Sequence, residues 1–140
     1  YTLSLLDALP IYLLDVGLLG AMAGLAPRDL LLGDFGTYKG WVAENFVAQE
    51  LTAAGYDPLY FWKGKTSEVD FLIATEAGVV PVEVKSGTVT RSKSLSVYRE
   101  RFRPVASFRL SGRNSAYALD AVTDLPLYLA GRLGSYPKGC

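Results

Sequence analysis

Histidine is absent from the 140 residues, and cysteine occurs once, as the last residue, Cys140. Without histidine there is no Ser-His or Cys-His nucleophile pair and no imidazole-bound zinc. A single thiol excludes an internal disulfide and a thiolate metal cage, and it fits a reducing compartment, so the expected location is cytoplasmic. No apolar run reaches the roughly 18 to 20 residues that cross a bilayer, and no membrane role is expected. No G-x-x-x-x-G-K-[ST] phosphate loop occurs, which keeps ATP binding off these residues. Any catalysis must therefore rest on carboxylates and lysines. What remains is the composition of one folded domain, half hydrophobic and one-fifth charged.

Charge is balanced in total but not along the chain. Before Lys85 stand four bases, Arg28, Lys39, Lys63 and Lys65, against eleven acids; from Lys85 to Arg113 there are eight bases and one acid, Glu100. A basic segment following an acidic one suits a surface that meets a polyanion beside a carboxylate site. The same pattern also suits a solvated helix balanced by acids folded nearby.

Residues 1–11, YTLSLLDALPI, have neither the basic start nor the small-residue cleavage site of a signal peptide, and they read as a non-native segment. Residues 12–36 form an extension and linker. YLLDVGLL predicts an extended piece, a turn at Asp15 to Leu18 and a helical start; Pro27, Gly33 and Gly36 then break any long helix. A helix is predicted from Thr37, a candidate N-cap, to Ala54, with Gly55 as its stop. LYFWK reads as an aromatic strand and GKTS as a turn. A basic helix capped by Ser92 or Ser94 runs to Phe102 and stops at Pro104. ASFRLSG is a strand, and YALDAVTDLPLYLAGRL ends the domain as a short strand or helix. The tail is 134–140.

EVDFLIA and VVPVEVK form a hairpin around Glu76-Ala77-Gly78. Alternation puts Val69, Phe71 and Ile73 on one face with Val80, Val82 and Val84, and leaves Asp70, Glu83 and Lys85 together on the other. Opposed residues of a hairpin have Cβ atoms about 4.5 to 5.5 Å apart. Two carboxylates at that distance need a proton or a cation between them, and hard oxygen donors favour Mg²⁺ or Mn²⁺. Lys85 stands ready to orient a water or stabilise charge on a phosphate. Glu44 lies between Trp41 and Leu51 on its helix, near Val47 and Ala48, where a carboxylate is costly without a partner; aimed at the sheet it completes a metal shell. Arg91, Lys93, Arg99, Arg101 and Arg103 are candidate phosphate contacts, and Tyr60, Phe61 and Trp62 a candidate base-stacking platform, although aromatics more often fill cores.

Glu44 on a helix, Asp70 on a strand and Glu83-Val84-Lys85 on the next resemble the PD-(D/E)XK nuclease superfamily. That resemblance implies an α/β, restriction-endonuclease-like α-β-β-β-α-β core over 37–133, a central mixed sheet flanked by helices. It also implies that Glu44, Asp70 and Glu83 ligate metal while Lys85 assists the attacking water. Val69 stands where a proline often precedes the aspartate. YLLDVGLL, GWVAENFVAQEL, the EVDFLI and PVEVKSG pair, and LPLYLAGRL further resemble an uncharacterised domain family found C-terminal to archaeal-type AAA+ ATPase modules. Two functions stand as expectations: a Mg²⁺-dependent nuclease acting on DNA, or a non-catalytic module that binds DNA or protein and serves an attached ATPase.

Overall fold

The structure is a computed structural model that describes residues 11–32, 39–88, 91–119 and 121–135. Thr37 and Cys140, and all of 1–11 except Ile11, lie outside the described residues. The element order is α1 (Val16–Met22), α2 (Pro27–Leu32), α3 (Lys39–Ala53), β1 (Tyr60–Lys63), β2 (Glu68–Thr75), β3 (Gly78–Lys85), α4 (Lys93–Phe102), β4 (Phe108–Ser111), β5 (Tyr117–Leu119) and β6 (Val122–Pro126), then a 3-10 segment, Leu127–Ser135. From α3 to β4 this is the expected α-β-β-β-α-β order. The six strands form one mixed sheet in the order β1-β2-β3-β4-β6-β5, flanked by helices. Among the described residues no helix is long and apolar enough to cross a membrane.

Local chemistry explains the element ends. Asp15 caps α1 by accepting the Leu18 N–H at 2.8 Å, and Ser92 caps α4 by accepting the Leu95 N–H at 3.1 Å. At the end of α3, Tyr56 N–H reaches Leu51 O and Gly55 N–H reaches Thr52 O, each at 3.0 Å, with Gly55 at φ +92°. This paired return of the last carbonyls needs a left-handed residue, and glycine takes that conformation without strain.

Two parts differ from expectation. The linker holds a helix, α2, because Pro27 occupies its first position, where a fixed φ and a missing N–H do no harm. Asp29 then accepts the Ala26 N–H at 3.1 Å. The last third contains a hairpin, β5–β6, with Tyr117 paired to Asp124 and Leu119 to Val122. Its turn puts Ala121 at φ +59°, a position where the sequence signal would ordinarily be glycine or asparagine.

The core joins Ala43, Val47, Ala48 and Leu51 of α3 to Phe71, Ile73, Val80 and Val82 of the first hairpin and to Phe108, Leu110 and Leu125 further across the sheet. Burial of each of the larger side chains contributes about 1.5 to 3 kcal/mol. α4 packs Leu95 and Tyr98 against β2 and β3. Tyr98 and Phe102 also enclose Trp62, at 5.4 and 5.9 Å between ring centres. Trp62 is therefore a bridge between β1 and α4, whereas Tyr60 is exposed.

The chain before α1 is tied to α3 by side chains. Asn45, 3 % exposed, accepts the Leu13 N–H at 2.6 Å and donates to the Leu13 carbonyl at 3.1 Å. One turn on, Gln49 accepts the Val16 N–H at 2.7 Å. Asn45 thus pairs with the backbone as a neighbouring strand would.

Asn45→Ala should cost about 1 to 3 kcal/mol, because it leaves half-buried backbone groups of Leu13 without their partner. Urea denaturation measures the loss, and faster amide exchange at Leu13 locates it. Ala121→Gly should stabilise by up to about 1 kcal/mol by relieving the left-handed turn, visible as a rise of a few degrees in melting temperature.

Candidate active site at the fork of the sheet

β2 and β3 pair from Thr75↔Gly78 to Phe71↔Val82 and then part. β2 continues against β1 through Trp62↔Val69 and Lys63↔Glu68, while β3 continues against β4 through Glu83↔Arg109 and Lys85↔Ser111. One step past the last pair, the same register sets Asp70 opposite Glu83, at the mouth of the fork. There the Asp70 Oδ2 atom accepts the Val84 N–H at 2.7 Å. A carboxylate thus takes the bond that the departing backbone no longer makes.

β3 is an interior strand, and its burial runs unbroken from Val80 to Val84. Glu83 is therefore 3 % exposed, although alternation alone would have left it on a polar face. Its Oε1 atom meets Lys85 Nζ at 2.7 Å, and its Oε2 atom is buried without a hydrogen-bond partner. Lys85 keeps a third of its side chain in solvent. Burial first, and then the charge of Glu83, raise the Asp70 carboxyl from the ordinary 3.8 to about 7; the Val84 N–H and Lys85 pull the other way.

Glu44 is half-buried on α3, with the exposed Trp41 on one side of it and the buried Leu51 on the other. Its pKa is raised, mainly by burial and then by Glu68 and Glu83, with Lys85 opposing. Glu44 therefore feels the fork electrostatically. Among the described residues, however, no three acids are gathered closely enough to hold one metal ion. The three-carboxylate shell expected of Glu44, Asp70 and Glu83 is not assembled. The structure brings together Asp70, Glu83 and Lys85, with Glu44 at the margin.

The expected phosphate contacts lie on or beside α4. Arg91, Lys93, Arg101 and Arg103 are exposed and Arg99 is half-buried; Arg101 lies 5.2 Å over the Phe102 ring. The helix adjoins the fork, since Ser94 Oγ accepts the Glu68 N–H at 3.4 Å.

Two features were not foreseen. Tyr12, positioned by the Asn45 clamp on the neighbouring Leu13, packs on Phe71 at 5.3 Å between ring centres. Burial and the charges of Glu44, Asp70 and Glu68 push its phenol well above the ordinary range, so a neutral hydroxyl stands beside the acids. The second feature is a polar row across the sheet. Glu83 registers with Arg109, Arg109 with Asp124, and Asp124 with Tyr117. Arg109 donates from Nε and Nη2 to the two oxygens of Asp124, both at 2.6 Å, and Asp124 is 1 % exposed. Losing one partner of a pair so buried typically costs about 3 to 5 kcal/mol.

Residues 39–129 match the model of a domain of unknown function, DUF4143. The chain belongs to this family. The DUF4143 match contains α3, the fork and the whole polar row, while Tyr12 precedes it. No curated protein and no solved structure matches the chain.

Between about pH 4 and pH 7, folded Asp70 keeps a proton that the unfolded chain releases. Stability in metal-free buffer should therefore fall as pH rises through this window, and Asp70→Asn should flatten most of that slope. Melting temperatures across the range measure both effects. A wild-type slope of the opposite sign would contradict this charge state.

Proposed function

We propose that this DUF4143 domain carries a divalent-metal-dependent phosphodiesterase site acting on DNA. The observation that carries this reading is the buried, unpartnered Glu83 Oε2 beside a second carboxyl, Asp70, whose proton affinity is raised by burial and then by that neighbour. Such a pair is a poor structural device, because two desolvated acids side by side are stable only around a cation or a proton. Hard oxygen donors of this kind fit Mg²⁺ or Mn²⁺. Asp70 and Glu83 would hold the ion, and Glu44 is close enough in charge to favour it. When bound, the ion would activate a water and polarise a phosphoryl oxygen.

The chain's own groups have distinct tasks. The Val84 N–H orients the Asp70 carboxylate by its Oδ2 atom, leaving Oδ1 for other work. Lys85, tethered to Glu83 but partly in solvent, orients the attacking water and offsets charge gathering on the phosphate. The exposed cations of α4 track the backbone without reading sequence. The order α-β-β-β-α-β and the E-V-K tripeptide support kinship with the PD-(D/E)XK nucleases. Cytoplasmic location and service to an attached AAA+ ATPase are part of the same proposal.

A second reading has one observation in its favour. The Glu83–Lys85 pair at 2.7 Å lies within one strand, as a structural ion pair would. On that reading the domain binds DNA or protein and regulates the ATPase without cleaving.

Incubation of labelled DNA with Mg²⁺ or Mn²⁺ separates the two. The wild type should cleave, EDTA should stop it, and Asp70→Ala and Lys85→Ala should each lose roughly a hundredfold or more in rate. Equal, metal-independent activity in all three proteins would sink the catalytic reading. DNA retention without cleavage favours the second.

A further inference from the structure

The turn that follows Lys85 is stitched to the end of β4. Gly112 N–H donates to the Gly87 carbonyl at 2.9 Å, and a Cβ on Gly112 would stand only 3.3 Å from that oxygen, so the two backbones touch. Arg113 comes next. Its Nε donates to the Thr88 carbonyl at 2.7 Å, its Nη1 to the Tyr117 hydroxyl at 3.0 Å, and its backbone N–H to Ser111 Oγ at 3.3 Å. The guanidinium is thus aimed by acceptors from two separate parts of the chain.

The guanidinium's two acceptors are a backbone carbonyl and a phenol hydroxyl rather than an acid, and that distinguishes Arg113 from Arg109. The ion pairs among the described residues are Lys85–Glu83 and Arg109–Asp124, and Arg113 enters neither. Arg109 has its charge answered by Asp124, whereas Arg113 is oriented without an acid partner among the described residues. It is also half-buried, so its side chain has already lost freedom that an exposed arginine such as Arg101 would lose on binding. Its place matters equally. Arg113 lies just past the end of β4, one strand over from Lys85, at the carboxyl ends of the parallel strands β3, β4 and β6. Ligands of open sheets gather at that edge.

We propose that Arg113 is a phosphate-binding residue of this site, gripping a phosphate of the nucleic-acid strand next to the one held at Asp70, Glu83 and Lys85. The proposal rests on the phosphodiesterase reading for its ligand. It assigns the anchoring contact to a residue outside the basic helix, because a planar, pre-aimed fork matches two phosphate oxygens where a mobile surface cation supplies only charge.

The test is fluorescence anisotropy of labelled single- and double-stranded DNA over a salt series, with Ca²⁺ in place of Mg²⁺, alongside cleavage in Mg²⁺. Arg113→Gln should weaken binding roughly tenfold and make the log-log salt dependence shallower by about one unit. Arg113→Lys should recover part of the affinity and most of the salt slope, since it keeps the charge and loses the fork. Arg28→Gln, which removes an exposed cation on α2 outside the site, should leave affinity near that of the wild type. Melting curves identify any variant that fails to fold, and if Arg113→Gln does so, the loss of affinity in Arg113→Lys decides. Wild-type affinity and slope in the Arg113 variants, with cleavage by the wild type intact, would remove Arg113 and leave the phosphodiesterase. Arg113-dependent binding without cleavage by the wild type would keep Arg113 and remove the phosphodiesterase. If the wild type binds no DNA, both fall.

Discussion

The candidate site depends on the parting of β2 from β3. In the interior of a sheet every backbone N–H and C=O is committed to a neighbour, and little chemistry can be placed there. Where β2 turns to β1 and β3 stays with β4, the ladder ends inside the molecule. The Val84 N–H freed at that point is answered by Asp70, and this single bond draws an acid to the mouth of the fork. Glu83 lies one register step away because β3 is still paired to β4. The fork therefore both opens the site and fills it with charge.

The buried acids are tolerated because cations surround them unequally. Lys85 answers one oxygen of Glu83, and Arg109, the next residue in the row, is fully engaged by Asp124. Glu83 Oε2 is left over. The sheet carries Glu83, Arg109, Asp124 and Tyr117 side by side, and the Arg109–Asp124 pair ties β4 to β6. At the end of that row Arg113 shares Tyr117 with the network but meets no acid among the described residues. The site thus reads as a strip running from the carboxyls at the fork to the oriented cation of Arg113.

The helix α3 serves both the core and the site through different faces. Val47, Ala48 and Leu51 fill the core, Asn45 and Gln49 hold Leu13 and the start of α1, and Glu44 feels the charges at the fork. The clamp has a consequence for the site, since it delivers Tyr12 onto Phe71, beside Asp70 and Glu44. This arrangement ties the stretch preceding the DUF4143 match to the acids within it.

Much of this was legible in the residues themselves. Period-two alternation around Glu76-Ala77 put Asp70, Glu83 and Lys85 on one face, and Asp15, Ser92 and Gly55 marked helix ends by chemistry acting within a few residues. Those signals are local, so they survive being read one segment at a time. The burial of Glu83 was not legible, because it follows from β4 pairing with β3 across an intervening helix. Nor was the β5–β6 hairpin, whose turn uses alanine in a left-handed conformation, nor the helix begun by Pro27. Asn45 and Gln49 carried no signal, since an amide pairing with a distant backbone looks like any polar helix residue. Arg109, Asp124 and Arg113 became a network only through register between strands distant in sequence. The sequence by itself determined which residues face together within one hairpin; the tertiary structure alone decided which of them lost water, because burial is set by neighbours that folding brings from elsewhere in the chain.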